Sequence, residues 1–105
     1  MEKNIFKIPL WESNPPITKE QYKLLKLDFF QTAHIFGGSK EIWKTIQASL
    51  EMEDKNKAQL ILEAADIKIP QNILECYDSK GYKYEIPPYL ISEPINLIKE
   101  KKKRK

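Results

Sequence analysis

The chain has 105 residues, 41% apolar and 31% charged, a globular composition that suits one domain and leaves no room for two. No stretch approaches the ~18 consecutive apolar residues of a membrane span. The formal charge of +3 is uneven: residues 99–105 hold six basic residues and one acid, so the remaining body, with 12 basic and 14 acidic residues, is −2, which argues against a nucleic-acid-binding face.

Met1-Glu2-Lys3-Asn4 opens neither a secretory signal nor a transit peptide, and Glu2 stands where myristoylation needs glycine. The single cysteine, Cys76, excludes an intramolecular disulfide. Together these point to a reducing, intracellular setting, cytoplasmic or nuclear, with an organelle left open. Lysine outnumbers arginine 17 to 1, which reads as genome composition rather than function.

Residues 1–17 lack periodicity, and Asn14-Pro15-Pro16 disfavours helix. They read as an extended arm with Ile5, Ile8, Leu10 and Trp11 as apolar anchors. Thr18-Lys19-Glu20-Gln21 is a capping box. It predicts a helix over 19–33, with Tyr22, Leu25, Phe29 and Ala33 on one stripe and Phe30 beside it. Gly37-Gly38 punctuates the chain. Ser39 caps a second helix whose buried stripe is Ile42, Trp43, Ile46 and Leu50, with Glu41 in its first turn. Asp54 caps a third over 55–65, with Ala58, Ile61, Leu62 and Ala65 facing in.

The period then falls from about 3.6 to 2. Residues 74–77 and 82–86 alternate around Asp78-Ser79-Lys80-Gly81, the pattern of a type I turn with a left-handed glycine and hence of a β-hairpin. Pro87-Pro88 stops the second strand; Tyr89, Leu90 and Ile91 pack back. Pro94 is expected to start a short helix over 95–99. The expected architecture is α+β: three main helices, a short C-terminal helix and a two-stranded β-hairpin. The divisions are an arm (1–17), a body (18–98) and a basic tail (99–105).

No residue pattern along the chain carries a catalytic or metal-binding signature. Gly37-Gly38 lacks the spacing of a phosphate loop. A nucleophilic pair would need Cys76 to meet His34; Cys76 instead alternates in a strand as a small core residue, and His34 follows a helix end. One Cys and one His make no zinc site. No cofactor is expected, and an enzyme ranks last among the readings. Lys101, Lys102, Lys103, Arg104 and Lys105 resemble the short basic type of nuclear import signal; any nucleic-acid or acidic-partner contact would run through them, the plain alternative being a solubilising tail.

Lys40-Glu41-Ile42-Trp43, Ala58-Gln59, Ala65-Asp66-Ile67-Lys68-Ile69-Pro70, Glu75-Cys76-Tyr77-Asp78, Gly81, Tyr84, Ile86-Pro87, Tyr89 and Pro94-Ile95-Asn96-Leu97-Ile98 follow one another without large gaps. This pattern resembles the N-terminal ubiquitin-binding domain of the ubiquitin domain-containing proteins. Trp11, Thr18, Phe29, Thr32-Ala33 and Phe36-Gly37-Gly38 fit it more loosely. The resemblance implies a helical domain with a small hairpin that binds ubiquitin weakly and connects to ubiquitin-conjugating enzymes. It departs from the family in lacking the N-terminal lipidation signal and the C-terminal ubiquitin-like domain.

Two functions follow as expectations. The first is a non-catalytic adaptor-like module that binds ubiquitin or a ubiquitin-pathway protein, without a membrane. The alternative is a structural subunit fixed among the other subunits of a larger assembly. A ubiquitin-like partner would offer a small apolar patch ringed by basic residues, which a body of −2 suits. The candidate contacts are therefore acids beside apolar groups: Glu51, Met52 and Glu53 at the end of the second helix, and Glu75 and Tyr77 on the first strand. Trp11 is the aromatic anchor offered by the arm.

Overall fold

The computed structural model describes residues 4–99, and the tail assignments lie outside them. Three α-helices come first among the described residues: α1 (Lys19–Phe36), α2 (Lys40–Glu51) and α3 (Lys55–Ala64). A short antiparallel hairpin follows, β1 (Glu75–Tyr77) and β2 (Lys83–Glu85), and then a 3-10 turn at Pro88–Leu90. The α+β class is as expected.

Each helix begins at the residue whose side chain can satisfy its orphan N–H groups. Thr18 Oγ1 accepts from the Gln21 N–H at 3.1 Å while Gln21 Oε1 accepts from the Thr18 N–H at 2.9 Å, closing the capping box. Ser39 Oγ accepts from the N–H groups of Glu41 and Ile42, and Asp54 Oδ1 from those of Asn56 and Lys57. α1 runs one turn past the expected end at 33 and stops at Gly37, so His34 lies in its last turn rather than beyond it. α3 ends in a Schellman motif: Asp66 takes the left-handed conformation (φ 63°), its N–H donates to Glu63 O, and the Ile67 N–H donates to Leu62 O. Ile67 is thereby turned into the core.

α2 packs against both α1 and α3. Trp43, Ile46, Leu62, Ile73, Cys76, Tyr84, Ile86 and Leu90 form the centre of the core. Lys55 ties α2 to its neighbours, because its ammonium donates to Ser49 O and Leu50 O, the last-turn carbonyls of α2, and lies 4.8 Å from the Phe6 ring centroid. Burial lowers the Lys55 pKa.

The arm lies along the C-terminal segment. The Ile95 N–H donates to Trp11 O, the Ile98 N–H to Ile17 O, and the Asn96 amide bonds the Ser13 backbone in both directions, at 2.9 and 2.8 Å. This clasp explains why the short helix expected over 95–99 does not form. A helix of five residues is marginal by itself, and these groups are instead bonded to the arm; residues 94–97 make a turn and Ile98 a bridge to Thr18. Ile5 is buried and Ile8 and Trp11 half-buried as anchors, but Leu10, at 81% exposure, points away from the body.

Candidate functional site

The junction of α1 and α2 is joined to the hairpin by a polar and aromatic network. The Trp43 Nε1–H donates to Gly37 O at 2.9 Å. The Tyr84 hydroxyl accepts from the Ser39 N–H at 2.8 Å and donates to Asp78 Oδ2 at 3.0 Å, so one buried phenol bridges the α2 cap and the hairpin turn. Rings meet edge to face along this line, Phe29 with Trp43, Trp43 with Tyr84, and Tyr84 with Tyr82 at 5.1 Å. Tyr82 lies over Gly37, filling the space a Cβ would need there. Beside the network Phe36, at 86% exposure, and Tyr82, at 46%, stand in solvent. With Phe29, Ala33, Gly37 and Trp43 they bound a groove of about 350 Å³, and Lys83 and Glu85 form its rim.

Asp78 organises the hairpin turn. Desolvation pushes its carboxyl up, but hydrogen bonds from the Tyr82 N–H, the Tyr84 hydroxyl and the Lys80 N–H outweigh that and hold its pKa below the ordinary value. A depressed carboxyl contributes stability that is present above the unfolded-state pKa and is lost as pH falls through the folded one. Asp78→Asn is therefore expected to lower stability at neutral pH and to flatten its decline below about pH 4. Urea melts of both proteins between neutral and acid pH check this; an unchanged acid slope would show that Asp78 is not a source of it.

The second surface is the outer face of α1. Tyr22, Phe29, Phe30 and Ala33 turn inward, yet Leu24 (61% exposed), Leu27 (52%) and Ile35 (68%) share the opposite side at helical spacing. Leu25, expected in the buried stripe, is exposed and lies on the flank of this outer face. Leu24, Leu25 and Leu27 form a groove with Gln21, Asp28 and Gln31. Leu27 also lines a second groove between α1 and α2 with Lys23, Lys26, Phe30, Leu50 and Glu51. α1 thus carries apolar side chains on its outer face, set among charged ones, as well as on its buried face.

The sequence-derived residues fall on three places. Glu51 and Glu53 are exposed at the end of α2 with Met52 half-buried between them, and Glu51 reaches the α1–α2 groove. Glu75 and Tyr77 are neighbours on β1, the Tyr77 hydroxyl donating to the Glu75 carboxylate; that bond, with burial and the Glu75 charge, raises the Tyr77 pKa. Lys83 lies 3.8 Å from Glu75 and 3.4 Å from Glu85, so the strand answers much of its own acidity. Trp11 is half-buried and donates its Nε1–H to Ser92 O at 3.0 Å. Among the described residues no hydrogen bond or ion pair joins these three places. Leu24, Leu27, Phe36 and Tyr82 were not singled out as contacts; the signal for the leucines was an apolar count in α1 larger than one stripe can take.

Cys76 is fully buried, and burial together with the Glu75 charge pushes its thiol up to about 12, which keeps it a thiol; its Sγ donates to Ile73 O. Among the described residues no three His, Cys, Asp or Glu side chains gather as a metal site would require. No helix among them is long and apolar enough to cross a membrane.

The family model described as "ubiquitin-binding domain" matches residues 1–100. The chain belongs to this ubiquitin-binding domain family. Its relatives include ubiquitin domain-containing protein 1 of Danio rerio, 40% identical over 97 residues that cover 89% of this chain and 43% of the relative. The Homo sapiens protein of that name is 40% identical over 94 residues, covering 86% and 41%. An uncharacterized protein of Schizosaccharomyces pombe is 37% identical over 104 residues, covering 93% and 44%. The chain thus spans less than half the length of these relatives. The family is a binding module, not a catalytic one, and its role is protein binding related to ubiquitin.

Proposed function

We propose that this chain is a non-catalytic module that holds ubiquitin, or another ubiquitin-pathway protein such as a conjugating enzyme, weakly and reversibly. The reading is carried by the family match over residues 1–100. The face that suits it best is the outer side of α1, where Leu24 and Leu27 are exposed apolar groups beside the acids Glu20 and Asp28. Glu51, with Met52 and Glu53 behind it, continues this face across the α1–α2 groove. Exposed leucines with Glu20, Asp28 and Glu51 near them complement a small apolar patch with basic neighbours, Lys23 and Lys26 lying on the side toward α2, and a patch of that size gives an interface below roughly 1,200 Å² and a transient complex. The tail residues 101–105 add a nuclear-import or acidic-partner contact to the same reading.

Titration of the isotope-labelled domain with ubiquitin is the test. Amide shifts are expected to concentrate on residues 20–31 and 50–53, and the double variant Leu24→Asp, Leu27→Asp is expected to abolish them while keeping its helical signal. Shifts centred on Glu75 and Tyr77 would move the contact to the hairpin. Absence of any shift at millimolar ubiquitin removes ubiquitin as the partner. The two-sided apolarity of α1 also suits permanent cover inside an assembly, and native purification separates the readings: a fixed subunit co-migrates stoichiometrically with its neighbours, a weak reader runs alone.

A further inference from the structure

The hairpin has one edge paired and one edge open. The bonds from the Ile86 N–H to Leu74 O and from the Asp78 N–H to Tyr82 O set the phase of the ladder. With Cys76 opposite Tyr84, residues 82, 84 and 86 spend their backbone groups on β1. The backbone N–H and C=O groups of Lys83 and Glu85 therefore point the other way. The outer edge of β1 is occupied, because Tyr77 exchanges two hydrogen bonds with Lys68 at 2.8 and 2.9 Å. Among the described residues nothing pairs with the backbone of Lys83 or Glu85, and the aromatic groove bounded by Phe36 and Tyr82 opens beside this edge.

We propose that the open edge of β2 is a peptide-binding site that adds an extended segment of a partner protein as a third strand. This site is separate from the α1 surface and does not depend on ubiquitin being the partner. Its chemistry follows from the alternation of the strand, in which Lys83 and Glu85 face solvent while Tyr84 faces the aromatic side. A strand paired with these residues alternates in the same way. Its residues opposite Lys83 and Glu85 stand on the charged face, and the residue between them points toward the groove. One large apolar side chain fits a space of about 350 Å³ beside Phe36. Lys83 lies between two carboxylates, Glu75 and Glu85, so the face keeps one negative charge in excess and calls for a basic residue opposite Glu85. The preferred segment is thus basic, large apolar, uncharged polar, read antiparallel to β2. Main-chain bonds supply affinity in this mode and alternate side chains supply selection.

The probe is a blocked synthetic peptide, Thr-Val-Lys-Phe-Thr-Val, titrated into the labelled full chain. The expected result is that the Lys83 and Glu85 amides shift most and gain protection from exchange. Methylating the backbone nitrogens of the peptide's Lys and second Thr should abolish binding, since these amides would pair with the edge. Phe36→Ala, at a side chain the core does not need, should weaken binding about tenfold or more, the size of a hot-spot loss. Glu85→Gln should weaken it at low salt and matter less at high salt. Equal binding of the methylated peptide, shifts located elsewhere, or no shift at millimolar peptide overturns the proposal. Edge shifts that depend on protein concentration alone also overturn it, because Lys83 and Glu85 would pair with their opposites on an antiparallel second copy, which would then be the occupant.

Discussion

Trp43→Ala is expected to lower stability by about 3–5 kcal/mol, the range for emptying a buried indole site. The side chain is 8% exposed and is gripped from three sides: Phe29 at 5.4 Å between ring centroids, Tyr84 at 5.0 Å, and the Gly37 carbonyl on its Nε1–H. Its removal opens a void where α1, α2 and the hairpin meet and leaves the Gly37 carbonyl without its donor. At ~4–8 °C of melting temperature per kcal/mol for a domain near this size, the midpoint should fall by well over ten degrees. Trp43→Phe separates the contributions: it keeps most of the ring contact and loses the bond to Gly37, for about 0.5–1.5 kcal/mol. Thermal melts of both variants decide the matter, and a shift of one or two degrees for the alanine variant would mean that the indole does not hold the junction.

The second large effect is at Gly38. Its backbone lies at φ +87°, and a Cβ there would stand 2.5 Å from Cε2 of Tyr84 and 3.1 Å from Nε1 of Trp43. Gly38→Ala therefore meets two penalties, the positive φ and the collision with two buried rings, and should cost about 2–4 kcal/mol together. The variant should also show a weakened Tyr84 bridge, seen as loss of exchange protection at the Ser39 amide. Gly81 has a similar dihedral, φ +89°, with open space around it, so Gly81→Ala isolates the backbone penalty. Equal losses at the two positions would show that the close approach of the rings contributes nothing.

What the sequence made legible was local. Thr18, Ser39 and Asp54 marked three helix starts because a cap acts within three residues of itself. Asp78 and Gly81 marked the turn for the same reason. The end of α3 was legible to within one residue, but the device that makes it was not, since left-handed backbone is expected of glycine and here Asp66 takes it. Pro94 carried a true local start signal, but Asn96 answers to Ser13, more than eighty residues away, and no local rule sees that bond. Periodicity found the apolar positions of α1 without saying which side of the helix would be covered, so Leu25 was placed inside while Leu24 and Leu27 were passed over. The acids at Glu51 and Glu53 were readable as exposed; that Glu51 shares a groove with Leu27 depends on how two helices pack. The open edge at Lys83 and Glu85 depends on the phase of the hairpin ladder, which alternation alone leaves undetermined.

The clasp between the arm and the C-terminal segment has a topological consequence. Ser13 and Asn96 are bonded face to face, so the two segments that flank the helices and the hairpin meet at one corner and the chain between them is a closed ring. The ring is not sufficient by itself, because Ile5, outside it, is buried in the core and its carbonyl accepts from the Ile73 N–H, so a graft of this fold into a surface loop of a host protein would have to carry residues 5–12 along with the ring.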